Sequence, residues 1–256
     1  MSTSNAIDAR DLQKKFGAVT AAADVQIAIS HGERVSLIGS NGAGKTTFVN
    51  MLTGYIKPDA GEIMLDGQSI IGLAPRQIAR LGVARSFQIP QLYKALSVQD
   101  NLLAAIAAQQ HSLSFWQPAK NASSEALAHE ILQRFDLLPH AERVVSELPG
   151  GVRKLLDIAM ALTRQPKVLL LDEPTSGVSA DEKFPMMDTV MRALEGSNTT
   201  VLFVEHDMDI VARYSERVIA FYSGRIIADD KPEQALAMAE VKRYVTGELI
   251  ATPDHA

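Results

Sequence analysis

The sequence has no cysteine. Disulfides, thiolate metal sites and thiol nucleophiles are therefore excluded. It has no run of about 18 apolar residues, and the stretch Met1 to Arg10 lacks the apolar core of a secretion signal. The expectation is a chain that does not itself cross a membrane and that works in the cytosol or attached to a membrane through partners. A long basic run is also missing, and the net charge is −5. That argues against a broad nucleic-acid footprint, although not against a local one. There is no internal repeat and no low-complexity tract. What remains is 256 residues, 46% hydrophobic and 21% charged, which is enough for one large domain or two lobes with a real core.

Against this background one stretch stands out: Gly39-Ser40-Asn41-Gly42-Ala43-Gly44-Lys45-Thr46-Thr47. It has the form G-x-x-x-x-G-K-[ST] of a phosphate-binding loop. Arg34 to Ile38 before it is a short, branched, apolar run that reads as a buried strand. Thr46 to Leu52 after it has helical spacing, with Gly54 as a stop. Glycines let the backbone wrap an anion and turn N–H groups inward, and the helix N-terminus adds partial positive charge. Lys45 can reach the terminal phosphates, and Thr46 can offer a hydroxyl to Mg²⁺. The alternative is an accidental glycine-rich turn, which the strand–loop–helix context disfavours.

Other segments carry candidates whose readings stay open on spacing alone. Asn5 to Ile29 alternates weakly, like half-buried strands, and holds Phe16. Phe16 reads as a core residue, which spacing favours, or as a ring on which an adenine stacks. Lys57 to Gly61 is a turn, followed by short strands at 62–65 and 68–71 joined by Asp66-Gly67, and by a helix from Pro75 to Leu81. Val83 to Phe87 reads as a strand ending at Gln88, which can hold a water or a metal ion, or simply face solvent. Ser97 and Asp100 form a variant capping box at the start of a helix running to about Gln110. Residues 111–124, with the only tryptophan, Trp116, read as a loop or insertion, and Ala126 to Phe135 as a helix. Trp116 fits a partner contact or local packing equally.

Leu148-Pro149-Gly150-Gly151 breaks the chain ahead of a helix expected from Val152 to Arg164. Two glycines at a helix start make either a second anion site or an ordinary junction. Val168 to Leu171 is a continuous apolar strand ending in Asp172-Glu173. Such strands lie inside parallel sheets, whose carboxyl ends bind ligands. Asp172 can join a Mg²⁺ shell, and Glu173 can orient or deprotonate a water. A helix over Asp181 to Leu194 contains Pro185, so it is expected to start near Lys183 or to kink there. Thr199 to Val204 is another buried strand, leading to His206, which is either structural or a phosphate contact. A hairpin around Ser223-Gly224 and a helix from Pro232 to Thr246 complete the chain.

Taken in order, Phe16, the phosphate loop, Gln88, Leu148 to Gly151, Asp172-Glu173 and His206 resemble the motifs of the ATP-binding subunit of an ABC transporter. The resemblance covers about residues 5 to 248. It is similar above all to the ATPases of branched-chain-amino-acid-type importers, in Ala84-Arg85-Ser86-Phe87-Gln88, in Leu156 to Leu162 and in Val204 to Met208. It implies an α/β fold, with a P-loop NTPase core sheet, an N-terminal antiparallel β subdomain and an inserted helical lobe. It also implies a single domain over 1–256, in which 1–90 and 165–256 form the RecA-like core and 91–164 the helical lobe with the signature loop.

The roles the resemblance implies are as follows. Phe16 stacks adenine. Gly39, Ser40, Asn41, Gly42, Ala43, Gly44, Lys45, Thr46 and Thr47 hold the ATP phosphates. Thr46, Gln88 and Asp172 serve Mg²⁺, and Gln88 links that site to the membrane partner. Glu173, His206 and Gln88 serve hydrolysis. Pro149, Gly150 and Gly151 contact the nucleotide of the opposite subunit, so that two ATP molecules are sandwiched head to tail. The implied partners are an ATPase subunit (a second copy or a sister chain), two integral-membrane permease subunits and, indirectly, a periplasmic solute-binding protein. Nucleic acid is not among them. The implied place is peripheral, on the cytoplasmic face of the bacterial inner membrane, and the solutes are amino acids, amides, urea or aromatic acids.

The chain departs from the family where the usual Leu-Ser-Gly-Gly-Gln becomes Leu148-Pro149-Gly150-Gly151-Val152. Proline has neither a side-chain donor nor an N–H. Ser179 also stands where many relatives place an aspartate. The competing class is a soluble ABC-type ATPase acting on protein or nucleic acid. Those in DNA repair carry a long coiled coil, and no heptad run occurs here. Those on ribosomes carry two cassettes per chain. A small P-loop kinase or GTPase would lack the second glycine pair.

Overall fold

A computed structural model describes residues 5–86, 88–108 and 121–247. Phe87, Gln109, Gln110, Trp116 and the tail beyond Gly247 lie outside them. The chain forms two compact units, one running up to residue 83 and resuming at residue 200, the other spanning residues 84–199.

The first unit opens with β1 (Ile7–Phe16), β2 (Val19–Ile29), β3 (Arg34–Gly39), α1 (Lys45–Leu52), β4 (Ala60–Leu65), β5 (Gln68–Ser69) and α2 (Pro75–Arg80). One sheet has the order β2-β1-β4-β5, antiparallel throughout. Its buried face is Ile7, Ala9 and Leu12 of β1, Val25, Ile27 and Ile29 of β2, and Ile63 and Leu65 of β4. The sequence alternation looks weak because the β1–β2 register shifts between Ala9 and Leu12, where Asp11 takes a φ of 50°. An extra residue in one strand breaks the period of two.

The second unit holds β6 (Val83–Ser86), α3 (Val98–Ala107), α4 (Ala122–Arg134), α5 (Gly150–Leu162), β7 (Val168–Asp172) and α6 (Ala180–Leu194), with β6 beginning at its boundary and lying next to β7. Ser97 caps α3 by accepting from the Asp100 N–H at 3.0 Å. α4 starts four residues before the expected Ala126, because Asn121 caps it: Asn121 Oδ1 accepts from Ser124 N–H at 2.9 Å, and Ser124 Oγ accepts from Asn121 N–H at 3.1 Å. α6 begins at Ala180, with Pro185 inside it. Asp181 and Glu182 in the first turn favour that earlier start, and Met186, Met187 and Val190 bury the helix beyond the proline.

The first unit resumes with β8 (Thr200–Val204), α7 (Met208–Tyr214), β9 (Arg217–Tyr222), β10 (Arg225–Asp230), α8 (Pro232–Ala237) and α9 (Ala239–Val241). Here the strand order is β10-β9-β3-β8. β3 runs parallel to β8, pairing Arg34 with Val201 and Leu37 with Val204, and parallel to β9, pairing Val35 with Arg217 and Gly39 with Phe221. β3 and β8 are buried along nearly their whole length, as strands covered on both faces must be. The expected single helix from Pro232 to Thr246 is broken at Met238, whose ψ of 135° is extended. The pieces still pack together: Ala235 and Val241 bury against Ile38, Val218 and Ala220.

Candidate functional site

The phosphate loop leaves the buried end of β3 and closes into α1. Gly44 immediately precedes α1 with a φ of 115°, and a methyl group there would lie 2.5 Å from the Ala21 carbonyl oxygen. Only glycine fits. The β9–β10 turn braces the loop from behind, since Gly224 N–H donates to Ala43 O at 2.8 Å. Lys45 is buried, and its Nζ donates to the carbonyls of Gly39 at 2.5 Å and Ser40 at 3.1 Å. A strand, a glycine turn and the N-terminus of an eight-residue helix thus surround a lysine, the arrangement that favours phosphate. The Thr46 side chain is exposed in the first turn.

Two further residues belong to this unit. Phe16 ends β1 and is 48% exposed, so the core reading is overturned. The segment before it is pinned by Asp59, which accepts from Lys14 Nζ at 2.7 Å and from Lys15 N–H at 2.8 Å. Those two bonds hold the Asp59 carboxyl below the usual carboxylate range. His206 follows β8 and is exposed. β8 and β3 run parallel and in register, so His206 leaves the sheet at the edge where the phosphate loop begins. Sequence reading missed why it is fixed there: buried Glu205 accepts from His206 N–H at 3.0 Å and from Asp207 N–H at 3.4 Å. Asp207 then caps α7.

In the other unit the candidates are drawn together. Gln88 Nε2 donates to Glu173 Oε2 at 2.6 Å. Glu173 has a φ of 46°, a left-handed conformation that costs a non-glycine residue on the order of 1 kcal/mol or more and that clusters at functional sites. Asp172 Oδ2 accepts from Arg85 Nη2 at 2.5 Å, with both side chains largely buried. Arg85 had no role in the sequence reading, although it lies in the Ala84 to Gln88 run.

α5 starts at Gly150 rather than Val152, because Pro149, with a ψ of 156°, occupies the cap position. The glycine pair therefore lies within the first turn, where N–H groups are unpaired inside a helix. Gly150 is tight: an added methyl would sit 3.2 Å from the Gly177 carbonyl oxygen. Pro149 gives α5 no side-chain cap. Among the described residues no three His, Asp or Glu side chains form a cluster able to hold a metal ion. Taken singly, the Asp172 carboxylate and Gln88 amide of one unit and the Thr46 hydroxyl of the other are oxygen donors of the kind Mg²⁺ binds. That ion commonly uses one or two carboxylates and takes its other oxygens from substrate phosphates and water.

Residues 22–176 match the family model described as ABC transporter. The high-affinity branched-chain amino acid transport ATP-binding protein LivG of Escherichia coli (strain K12) is 39% identical over 244 residues, covering 93% of this chain and 96% of that protein. The high-affinity branched-chain amino acid transport ATP-binding protein BraF of Pseudomonas aeruginosa is 34% identical over 252 residues, covering 94% and 98%. Among solved structures, a nucleotide-free ATP-binding cassette from an ABC transporter superposes with a TM-score of 0.82 at 29% identity, covering 93% of this chain and 97% of that one. Another such cassette, in its ADP conformation, gives a TM-score of 0.79 at 30% identity, covering 91% and 93%.

Proposed function

The chain belongs to the ABC transporter family, and from that premise we propose that it is the ATP-binding subunit of an importer, coupling ATP hydrolysis to uptake of branched-chain amino acids or similar small polar solutes. The observation that carries this reading is the likeness, over nearly the full length of both chains, to proteins named for branched-chain amino acid transport. That likeness sets aside the soluble ATPase acting on protein or nucleic acid.

In this reading the loop from Gly39 to Thr47 binds the phosphates through its N–H groups and Lys45. Phe16 offers its exposed ring to adenine. Glu173, oriented by Gln88, positions and deprotonates the attacking water, and His206 contacts the γ-phosphate. Thr46, Asp172 and Gln88 would hold Mg²⁺, which when bound would neutralise phosphate charge. The RecA-like core is residues 1–90 with 165–256, and the helical lobe is 91–164. No helix among the described residues is long and apolar enough to cross a membrane. The proposed place is the cytoplasmic face of the inner membrane, where two permease subunits dock on the lobe and the segment after Gln88. Ile89 and Tyr93, 74% and 59% exposed, are apolar anchors suited to that contact. Co-purification tests the reading: the tagged chain should recover two integral-membrane proteins. Recovery without membrane proteins would count against it.

Two substitutions probe the nucleotide contacts. Phe16→Ala should raise the KM for ATP about fivefold or more, because base–aromatic stacking is worth about 1–3 kcal/mol, while Phe16→Tyr preserves it. Equal KM values in all three proteins would remove Phe16 from the adenine site. The second is Pro149→Ser. In a head-to-tail dimer with a second copy or a sister ATPase, the signature of this chain closes the nucleotide site of its partner. Serine would cap α5 and restore a hydroxyl donor to a charged acceptor, worth about 1.5–3 kcal/mol. Turnover of the reconstituted transporter should rise by about tenfold or more if the bond acts in the transition state. No gain would show that the proline does not weaken the composite site.

A further inference from the structure

Helix α5 should bury only apolar groups on its inner face, yet it buries two charges. Lys154 is 3% exposed and Asp157, one turn later on the same face, 7% exposed. Removing an ammonium from water is costly unless its donors are satisfied. Lys154 Nζ donates to two backbone carbonyls, that of Gln88 at 2.7 Å and that of Glu173 at 3.2 Å. These are the residues whose side chains meet at 2.6 Å. Asp157 takes the flanks of the same segment, accepting from Ser86 Oγ at 2.6 Å and from Gln91 N–H at 3.1 Å. The segment around Gln88 is therefore strapped to one helix at three points, and the strained backbone of Glu173 is tied to the same ammonium.

We propose that Lys154 is a positioning residue for hydrolysis: its buried ammonium fixes the Gln88 and Glu173 backbones to one point on α5 and so sets the register of the Gln88–Glu173 pair. Because α5 begins with Gly150-Gly151, four and three residues before Lys154, any shift of that end moves both Gln88 and Glu173 together. The sequence signal was faint but present, a Lys and an Asp spaced i, i+3 on the face that otherwise carries Leu156, Ile158 and Ala159 inward.

The inference rests on the ATPase reading above, and the test separates the two. In the assembled transporter, steady-state ATP turnover is measured for Lys154→Met, Lys154→Gln, Lys154→Arg and Glu173→Gln, together with the KM for ATP and thermal midpoints. The methionine variant should lose kcat by about tenfold or more while the KM for ATP stays within about twofold, because misplacement by a fraction of an ångström to 1 Å costs rate rather than binding. Arginine, which can still donate to both carbonyls, should recover turnover to within about threefold of the native protein, and glutamine should fall between. Unchanged kcat in Lys154→Met, or arginine no better than methionine, overturns the proposal. So does a parallel loss of kcat, nucleotide affinity and thermal midpoint, which is the mark of a structural role alone. If the methionine variant does not fold, the glutamine variant decides by the same criteria. If Glu173→Gln retains turnover, it is the ATPase reading of the site that fails, and this inference with it.

Discussion

Glu173→Gln should lower ATP turnover by about a hundredfold or more and leave nucleotide binding intact, since a general base contributes roughly 10²–10⁴-fold. The substitution changes little else. Glutamine has the same shape, and its carbonyl oxygen can accept from Gln88 Nε2 as Glu173 Oε2 does at 2.6 Å. The left-handed backbone at residue 173 and the bond from Lys154 to its carbonyl do not depend on the side-chain charge. What is lost is the ability to take a proton from water. The groups proposed to bind the phosphates, from Gly39 to Thr47 with buried Lys45, are untouched. ATP should therefore bind with native affinity and persist uncleaved, and in a head-to-tail sandwich it should hold two cassettes together. Phosphate release, titration with a fluorescent nucleotide, and size exclusion with and without ATP read the three consequences. Native turnover in this variant would remove Glu173 from its role.

How much of this was legible in the sequence depended on how local the signal was. The phosphate loop, β7 and the β9–β10 hairpin were legible because glycines, continuous apolar runs and a Ser-Gly turn act within a few residues. Element ends were less so. A rule about proline allows a start of α6 near Lys183 or a kink there; the first does not hold, because the acidic first turn and the buried methionines favour a start at Ala180, with Pro185 inside the helix. The same kind of local reading began α5 at Val152, whereas Pro149 is a competent start and drew the glycines into the helix. Phe16 looked like core because spacing cannot see that β1 has run past β4, whose last pairing is Gln13 with Ala60, and that Phe16 pairs only with Val19 of β2. The long-range polar bonds were invisible. Arg85 meets Asp172 from 87 residues away, and Lys154 reaches Gln88 across 66. Nothing in local pattern encodes such pairs. Only the charge on an apolar helix face hinted that Lys154 needed partners.

Gly39→Ala should be the most damaging single methyl in the nucleotide-binding loop. Gly39 closes β3 at a φ of 149°, and an added Cβ would lie 2.4 Å from the Phe221 carbonyl oxygen and 3.2 Å from Ala43 Cβ. Phe221 is the direct partner of Gly39 in the β3–β9 ladder, and its buried ring packs on Phe48 of α1 at 6.1 Å between centroids. The oxygen belongs to backbone in the middle of a sheet, so it cannot rotate away as a side chain would. Either the strands part or the loop turns, and the second option moves the Gly39 carbonyl that holds Lys45 Nζ at 2.5 Å. Strain and overlap together should cost about 3 kcal/mol or more. For a chain of this size that lowers the melting midpoint by about 6–12 °C. ATP affinity should fall at least about tenfold, since the lysine is displaced as well. Gly42→Ala is the informative control. Gly42 also has a positive φ, 78°, but a methyl there meets nothing within 4 Å. Only the left-handed penalty of about 1–2 kcal/mol applies, so its midpoint should fall by roughly a third to two thirds as much. Equal losses at the two positions would mean that backbone conformation alone, and not the approach of β9, shapes the loop.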